Sequence, residues 1–450
     1  MLDKTQTLLV YAGWLEKPGA ADPPLLGTIR FDAVRGADAV SFEYAPSWLT
    51  SPGGNLFLDP DLHHAEGPQF PAPRRSSFGM LRDAMPDRWG RTLLQRRENA
   101  YAAADGRKPR KLTERDFLTE LADELRAGGL RFKRSADGPF LTSTAQPVPP
   151  LASLRELENS SLSLEDRSSP ADVAKLRMLL SPGSSLGGAR PKSNVIAPDG
   201  TLFIAKFPSC QDDWDVGAWE FVANGLMRAC GLRCARASMR RLSRHGATYL
   251  SKRFDRRGSA RLHFMSAMTA LAKTDGEAGS YLDVALFLLE HGARPEEDVR
   301  ELWRRVAFGI AVSNGDDHLR NHGFLLGSDG WALAPAFDVN PVAYGDVLTT
   351  AYGPGGQTAM DLTALIDVAP DYGIPKDAAR EDVAAMCATV DGSWRRLAAD
   401  AGIAKGEVVD MSPAFDMRYK NAPSRLFGFT GAHAADEKRD GSVPVKRRRL

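Results

Sequence analysis

Apolar and polar positions along the chain change rhythm several times. Residues 7–11 and 27–31 carry the β-branched and aromatic content of strands, and residues 40–44 alternate apolar with polar. Gly53, Gly54, Pro71 and Pro73 punctuate the loops that follow. Phe78, Leu81, Met85 and Trp89 then recur at helical spacing, which predicts a helix from near Ser77. Pro86 fits as the first turn of a second helix running through Leu94. Residues 113–125 predict an amphipathic helix with Thr113 as its N-cap. The stretch 135–150 is rich in Pro, Ser, Thr and Gly and is the best linker candidate. A helix is predicted over 170–180 and strands over 193–196, 202–207 and 247–254. Residues 216–229 between them read as a helix ended by Gly231. Beyond Ala267 the pattern is helical, notably over 281–290 and 299–313, interrupted by a hairpin at 323–333 that turns on 327–330. No internal repeat is visible, and the basic tail from about residue 431 is predicted to be disordered.

A chain of 450 residues exceeds one compact core and fits two or three domains. Its 58 basic against 57 acidic residues exclude a globally basic nucleic-acid coat but leave room for a local patch. Four cysteines cannot frame a disulfide scaffold, so a reducing compartment is expected. No apolar run nears the roughly 20 residues of a membrane helix, and the N-terminus lacks a secretory core. The expectation is a soluble, cytoplasmic protein with no membrane partner.

Residues 313–326 are the most informative. Asp316 and Asn321 have the D-x4-N spacing of a kinase catalytic loop. One carboxylate there orients a hydroxyl and accepts its proton, and an amide oxygen a turn later suits magnesium, which prefers hard oxygen ligands. After the hairpin comes Asp338, where a kinase places its second metal-binding carboxylate. The spacing alone is common in solvated loops, so the upstream parts must appear in order. They do: Lys206 lies in a predicted strand, suited to clamping phosphate oxygens, and Glu220 follows on a predicted helix. Alone, Glu220 would read as a solvated helix face. The segment 185–192 (SLGGARPK) precedes both, and its glycines let backbone amides approach phosphates. It is not a Walker A loop: Gly183 and Gly188 have that spacing, but Ala189 stands where lysine is required. A metal-hydrolase reading competes for Asp316, Asp317, His318 and His322, the two histidines sharing a helix face if that stretch is helical. No completing ligand is evident: His263, His291, Cys230 and Cys234 read as isolated surface or core residues.

The stretches 185–192, 252–256 (KRFDR), 314–322 (NGDDHLRNH) and 336–341 (AFDVNP) resemble the motifs of HipA-type serine/threonine kinases, the toxins of bacterial toxin–antitoxin pairs. Residues 78–91 (FGMLRDAMPDRWGR) and 127–132 (AGGLRF) resemble the accessory N-terminal region of that family. The resemblance implies an α+β, two-lobed protein-kinase-like fold. A β-rich accessory subdomain (1–135), a linker and first helix (136–180) and an ATP-binding lobe (181–265) would precede a mainly helical lobe (266–430) and the basic tail (431–450). It implies Asp316 as catalytic base, Asn321 and Asp338 as magnesium ligands, Lys206 on the phosphates and Glu220 supporting it. Gly187, Gly188, Ala189, Arg190, Pro191 and Lys192 would form the phosphate loop. Lys252, Arg253 and Phe254 would be the hinge to adenine, and His318 and Phe337 would line the nucleotide pocket. Ser185 matches a serine that family members autophosphorylate. Lys252 departs from the glutamate often found at the hinge, and Asp317 receives no role. The cofactors implied are ATP and Mg2+. The partners implied are a HipB-like helix-turn-helix antitoxin, through which DNA is met only indirectly, and a protein substrate such as an aminoacyl-tRNA synthetase. A non-catalytic corepressor, with residues 446–449 touching phosphates, and a small-molecule kinase are the alternatives.

Overall fold

The computed structural model describes residues 5–17, 19–34, 37–51, 53–141, 148–165, 175, 176, 179 and 190–420. An antiparallel sheet opens the chain, built from β1 (Thr5–Ala12), β2 (Leu25–Val34), β3 (Ala37–Tyr44) and the later β4 (Leu130–Lys133), in the order β3-β2-β1-β4. Leu8 lies opposite Ile29, and Ile29 opposite Phe42, so one face collects Leu8, Val10, Ile29, Phe31, Phe42 and Phe132, all buried. The three predicted strands are present and longer than predicted.

The helical spacing around Pro86 resolves into α1 (Gly79–Asp83) and α2 (Arg88–Ala104). Pro86 is not in a first turn: Asp87 is the N-cap, its side chain accepting from Gly90 N at 2.9 Å, so the helix starts after both. It also runs ten residues past Leu94. Helix α3 (Glu114–Glu120) begins with the Thr113–Asp116 capping box but stops short of Leu125. There the buried Arg126 guanidinium donates to the carbonyls of Leu118 and Leu121 at 2.6 and 2.7 Å, taking acceptors that a continuing helix would use. The described ends of the expected linker are tied down, Phe140 pairing with Lys133 and Pro150 with Ile196. The predicted helix 170–180 lies mostly outside the described residues, of which Lys175, Leu176 and Leu179 are helical; the basic tail lies outside them entirely.

A second antiparallel sheet contains β5 (Lys192–Ile196), β6 (Leu202–Lys206), β7 (Ala237–Ser243) and β8 (Gly246–Lys252), ordered β5-β6-β8-β7. Strand β7 was not predicted, because this edge strand buries no residue fully and so lacks the apolar alternation of a half-buried strand. Helix α4 (Val216–Ala229) has the predicted bounds, capped by Asp215 and stopped before Gly231 at φ +72°. The minor pair β9 (Arg256–Arg257) and β10 (Ala260–Arg261) leads into β11 (Phe264–Ser266). That strand joins the predicted hairpin, β12 (Gly323–Leu326) and β13 (Trp331–Leu333), in the order β11-β12-β13. Around it pack α5 (Tyr281–His291), α6 (Pro295–Ala311) and α7 (Lys376–Asp400). Helix α6 starts four residues before the predicted Val299, with Pro295 in its first turn beside Glu296, Glu297 and Asp298, which complement the helix dipole. The main core holds Trp219, Trp303, Trp331 and Trp394 and runs from α4 through the helices of the C-terminal half. Among the described residues no helix is long and apolar enough to cross a membrane.

His263 is buried where the accessory region meets the C-terminal half, stacked on Trp14 at 4.4 Å and beside Trp331 at 5.6 Å. Neither ring nitrogen has a hydrogen-bond partner among the described residues, and burial holds its pKa down at about 3. The folded imidazole therefore stays neutral where the unfolded one, at 6.5, takes up a proton. Stability should fall as pH drops from 6.5 toward 3, by about 1.4 kcal/mol per unit for this one group. His263→Phe should remove that component from a urea-melt series across the window; an unchanged pH slope in the variant would refute the assignment.

Candidate functional site

Strand β6 ends on Lys206, and α4 presents Glu220 from the second turn of the helix. The Lys206 ammonium donates to Glu220 Oε1 at 2.6 Å and to Asp338 Oδ1 at 2.6 Å. Burial alone would discharge this lysine, but Asp338 and Glu220 raise its pKa above the ordinary value. Asp338 is held well below the usual carboxylate range: burial opposes ionisation, and the Lys206 and Lys192 ammoniums outweigh it. One cation thus joins the second sheet, helix α4 and the loop after the hairpin.

That loop is locally strained. Asp338 sits at φ +61° and Ser313 at φ +54°, two of three non-glycine positive-φ residues among those described. Asn340 holds the first in place, donating Nδ2 to Asp338 Oδ1 at 3.0 Å while its own amide donates to Asn314 Oδ1 at 3.0 Å. Val342 N reaches Ser313 O at 3.1 Å, so the Asp338 loop and the 313–322 loop are sewn together. Asn321 turns its Nδ2 onto the Asp316 carbonyl at 3.1 Å, which leaves Asn321 Oδ1 buried with no partner among the described residues. An unpartnered amide oxygen is a hard donor of the kind that suits a hard divalent cation. The Asp316 side chain is exposed, as a group meeting a macromolecular substrate must be.

Beside Lys206 a cleft of about 430 Å³ is lined by Ile204, Glu220, residues 251–254, Phe337 and Asp338. Phe337 and Phe254 form one wall, ring centroids 5.5 Å apart. The structure thus brings Lys206, Glu220, Lys252, Arg253, Phe254, Phe337 and Asp338 to one cavity, while Asn321 and Phe337 line an adjoining one beneath the 313–322 loop. His318 is half-buried, its Nδ1 without a partner among the described residues. Two side chains predicted at the nucleotide point elsewhere. Arg253 turns its guanidinium to Asp255 and to the carbonyls of Leu125 and Arg126. Lys192 pairs with Asp87 at 2.8 Å, with only 1% of its side chain exposed. Arg190 pairs with Asp212, and Ser185, Gly187, Gly188 and Ala189 lie outside the described residues.

Sequence reasoning missed the clamp under the 313–322 loop. Asp317 is buried and accepts from Tyr281 Oη at 2.5 Å, pairs with His322 Nε2 at 3.0 Å, and its carbonyl accepts from Thr350 Oγ1 at 2.7 Å. Burial would push this carboxyl up, yet the His322 and Tyr281 contacts hold it below the ordinary value. The two histidines of the metal-hydrolase reading do not share an α-helical face: a 3-10 turn, Leu319–Asn321, separates them, and His322 is occupied by Asp317. An Asp followed five residues later by a His was the available signal, and it reads equally as a ligand pair. Asn340 was missed because a lone asparagine after an acidic residue carries no distinguishing pattern.

A family model described as HipA-like C-terminal domain matches residues 184–394. Toxin YjjJ of Escherichia coli is 26% identical over 206 residues, 44% of this chain and 44% of that protein. A Sinorhizobium fredii protein named "Putative kinase Y4mE" is 29% identical over 191 residues, 36% of this chain and 44% of that one. The match thus spans less than half the length of either relative. Among solved structures, HipA in a Shewanella oneidensis complex with HipB and operator DNA superposes with a TM-score of 0.63 at 16% identity, covering 92% of this chain and 96% of that one. The α+β, two-lobed kinase-like arrangement is therefore the fold of HipA, and residues 184–394 of this chain match the HipA-like C-terminal domain.

Proposed function

We propose that the protein is an ATP- and magnesium-dependent serine/threonine protein kinase of HipA type. The observation that carries this reading is Lys206, held between Glu220 and Asp338 at the mouth of the cleft, with Asp316 and Asn321 on the adjoining loop. Lys206 would bind the phosphates, the wall formed by Phe254 and Phe337 would pack against the base, and the backbone of 252–254 would bond its edge. The segment 187–192 would cradle phosphates through backbone amides, the Lys192 ammonium being engaged by Asp87. Asn321 Oδ1 and Asp338 would hold magnesium, which when bound neutralises charge on the phosphates. Asp316 would orient the acceptor hydroxyl. As its oxygen bonds to the γ-phosphorus and the bond to the β-phosphate oxygen breaks, Asp316 would take the proton and ADP would leave.

The neighbouring HipA was solved with HipB and operator DNA, and the E. coli relative is named a toxin. By that likeness we assign this chain a toxin role in the cytoplasm, a HipB-like helix-turn-helix antitoxin as partner, DNA contact only through it, and a translation-linked substrate such as an aminoacyl-tRNA synthetase.

Asp316→Ala should abolish phosphate transfer while the melting temperature stays within about 2 °C, because the side chain removed is exposed and makes no hydrogen bond or ion pair among the described residues. Activity within tenfold of wild type would end the assignment. Asn321→Ala and Asp338→Ala should each weaken ATP binding and raise the magnesium needed for half-maximal turnover. Calorimetry showing wild-type ATP affinity unaffected by magnesium would contradict both roles. Ser185 would be the autophosphorylation site, since a phosphate there adds about −2 charge beside the triphosphate and opposes its binding. Fragmentation mass spectrometry after Mg-ATP incubation should place the phosphate on Ser185 rather than Ser184, and Ser185→Asp should bind ATP more weakly than wild type.

A further inference from the structure

The motif 78–91 packs into the molecule in a way that its position in the accessory region does not announce. Within eight residues, from Arg82 to Trp89, four side chains bond to both sides of the cleft. Asp87 caps α2 with one oxygen and binds the Lys192 ammonium with the other at 2.8 Å. Trp89 Nε1 donates to the Lys192 carbonyl at 3.1 Å. Lys192 opens β5, immediately after the glycine-rich segment. Four residues earlier, Asp83 accepts from Ser266 N and from Ser266 Oγ, each at 2.8 Å. Ser266 ends β11, whose partner strand β12 begins directly after His322, and the next amide, Ala267 N, donates to the His322 carbonyl at 2.9 Å. Arg82 meets Asp275 at 3.2 Å, and Asp275 meets Arg320 of the 313–322 loop at 2.8 Å. At Gly79 a Cβ would lie 2.6 Å from the side chain of Thr269, in the short helix Ala267–Ala270 that follows β11, so α1 sits against that turn with no room for a larger residue.

We infer that this segment is a brace between the two sides of the cleft, with Asp87 and Asp83 as its positioning residues. Asp87 acts through Lys192 on the strand that follows the phosphate segment, and Asp83 acts through Ser266 on the loop bearing Asp316 and Asn321. The pairs are stiff because they are dry: the Lys192 and Asp87 side chains are 1% and 5% exposed, and Asp83 is 7% exposed. A buried charge left without its partner is costly, so neither side can drift from the segment without breaking a bond that water does not replace. The spacing between β5 and the catalytic loop is thereby set from outside both.

The inference rests on the kinase reading for its kinetic consequence and on geometry alone for its structural one, and the two are tested separately in the full chain. Asp87→Asn should raise the KM for ATP about tenfold and change kcat by less than about threefold, whereas Asp83→Asn should lower kcat about tenfold with the KM for ATP within about twofold. A purely structural role would lower only the active fraction, so kcat is expressed per ATP-binding site titrated by calorimetry; on that basis such a role would leave kcat and KM unchanged in both variants. Because Asp87→Asn strands a buried lysine, Asp87→Asn with Lys192→Met serves as the variant that leaves no unpaired charge. Hydrogen exchange gives the independent readout: Asp87→Asn and the double variant should speed exchange over 190–196 and not over 321–326, and Asp83→Asn should do the reverse. Exchange unchanged in both windows, or raised equally in both by each variant, overturns the brace. A wild type that neither binds nor turns over ATP overturns the kinase reading instead, and the exchange pattern then decides the brace by itself.

Discussion

A single ammonium decides how the halves of this molecule meet. Lys206 comes from the second sheet, Glu220 from helix α4 and Asp338 from the loop beyond the hairpin, and both carboxylates lie 2.6 Å from the Lys206 nitrogen. A largely dry cation needs partners, and the two carboxylates supply them. Asp338 makes its bond from a left-handed backbone, and Asn340, itself held by Asn314, bonds Asp338 there. The strain at Ser313 lies on the same seam. Strained residues of this kind survive only where surrounding bonds over-determine them, which is what the cross-links between the two loops supply.

Helix α4 is fixed from its far side as firmly as from the cleft. Trp219, the neighbour of Glu220, is 5.8 Å from Phe415, which stacks on Trp394 of α7 at 4.5 Å. Glu407 accepts from Trp219 Nε1 and from Asp215 N, each at 2.8 Å, and Arg241 joins Asp215 to the carbonyls of Ala401 and Gly402. Swinging Glu220 away from Lys206 would mean opening an aromatic core and breaking a cap, so the ion pair is set by packing and does not hang on a free helix.

What the sequence made legible was whatever depends on local rules. The C-terminal bound of α4 follows from a glycine that the sequence marks in place, whereas the Asp215 cap at its start is seen only in the structure. The strands with a buried face and the hairpin turn followed from periodicity. The order of Lys206, Glu220, Asp316, Asn321 and Asp338 was readable because the spacing of those residue types reflects one chemistry. Strand β7 escaped because it is an edge strand whose residues are half-buried or exposed, with none fully buried, so no clear alternation is imposed. The fates of Lys192 and Arg253 escaped for another reason: both are basic residues at strand ends, and only the fold brings Asp87 and the Leu125 and Arg126 carbonyls to them. Long-range partners of a charged side chain have no local signature.

Arg253 also explains how the hinge keeps its course although Lys252 stands where a glutamate was expected. Arginine has five N–H donors in a rigid fork. Here five bonds are made: Nε and Nη2 to the two Asp255 oxygens, Nη1 to Leu125 O and Asn194 Oδ1, and Nη2 to Arg126 O. Asp255 is buried and would be raised by that burial, but Arg253 and Arg256 keep it ionised, and it accepts Gly128 N as well. The chain just past the hinge is thus bolted to residues 125–128 of the accessory region by a saturated guanidinium, which an ammonium with three donors could not reproduce. The side chain at 252 takes no part in those bonds. The backbone path past the cleft is therefore dictated one residue further on, and the departure at Lys252 changes what lines the cleft without changing where the hinge runs.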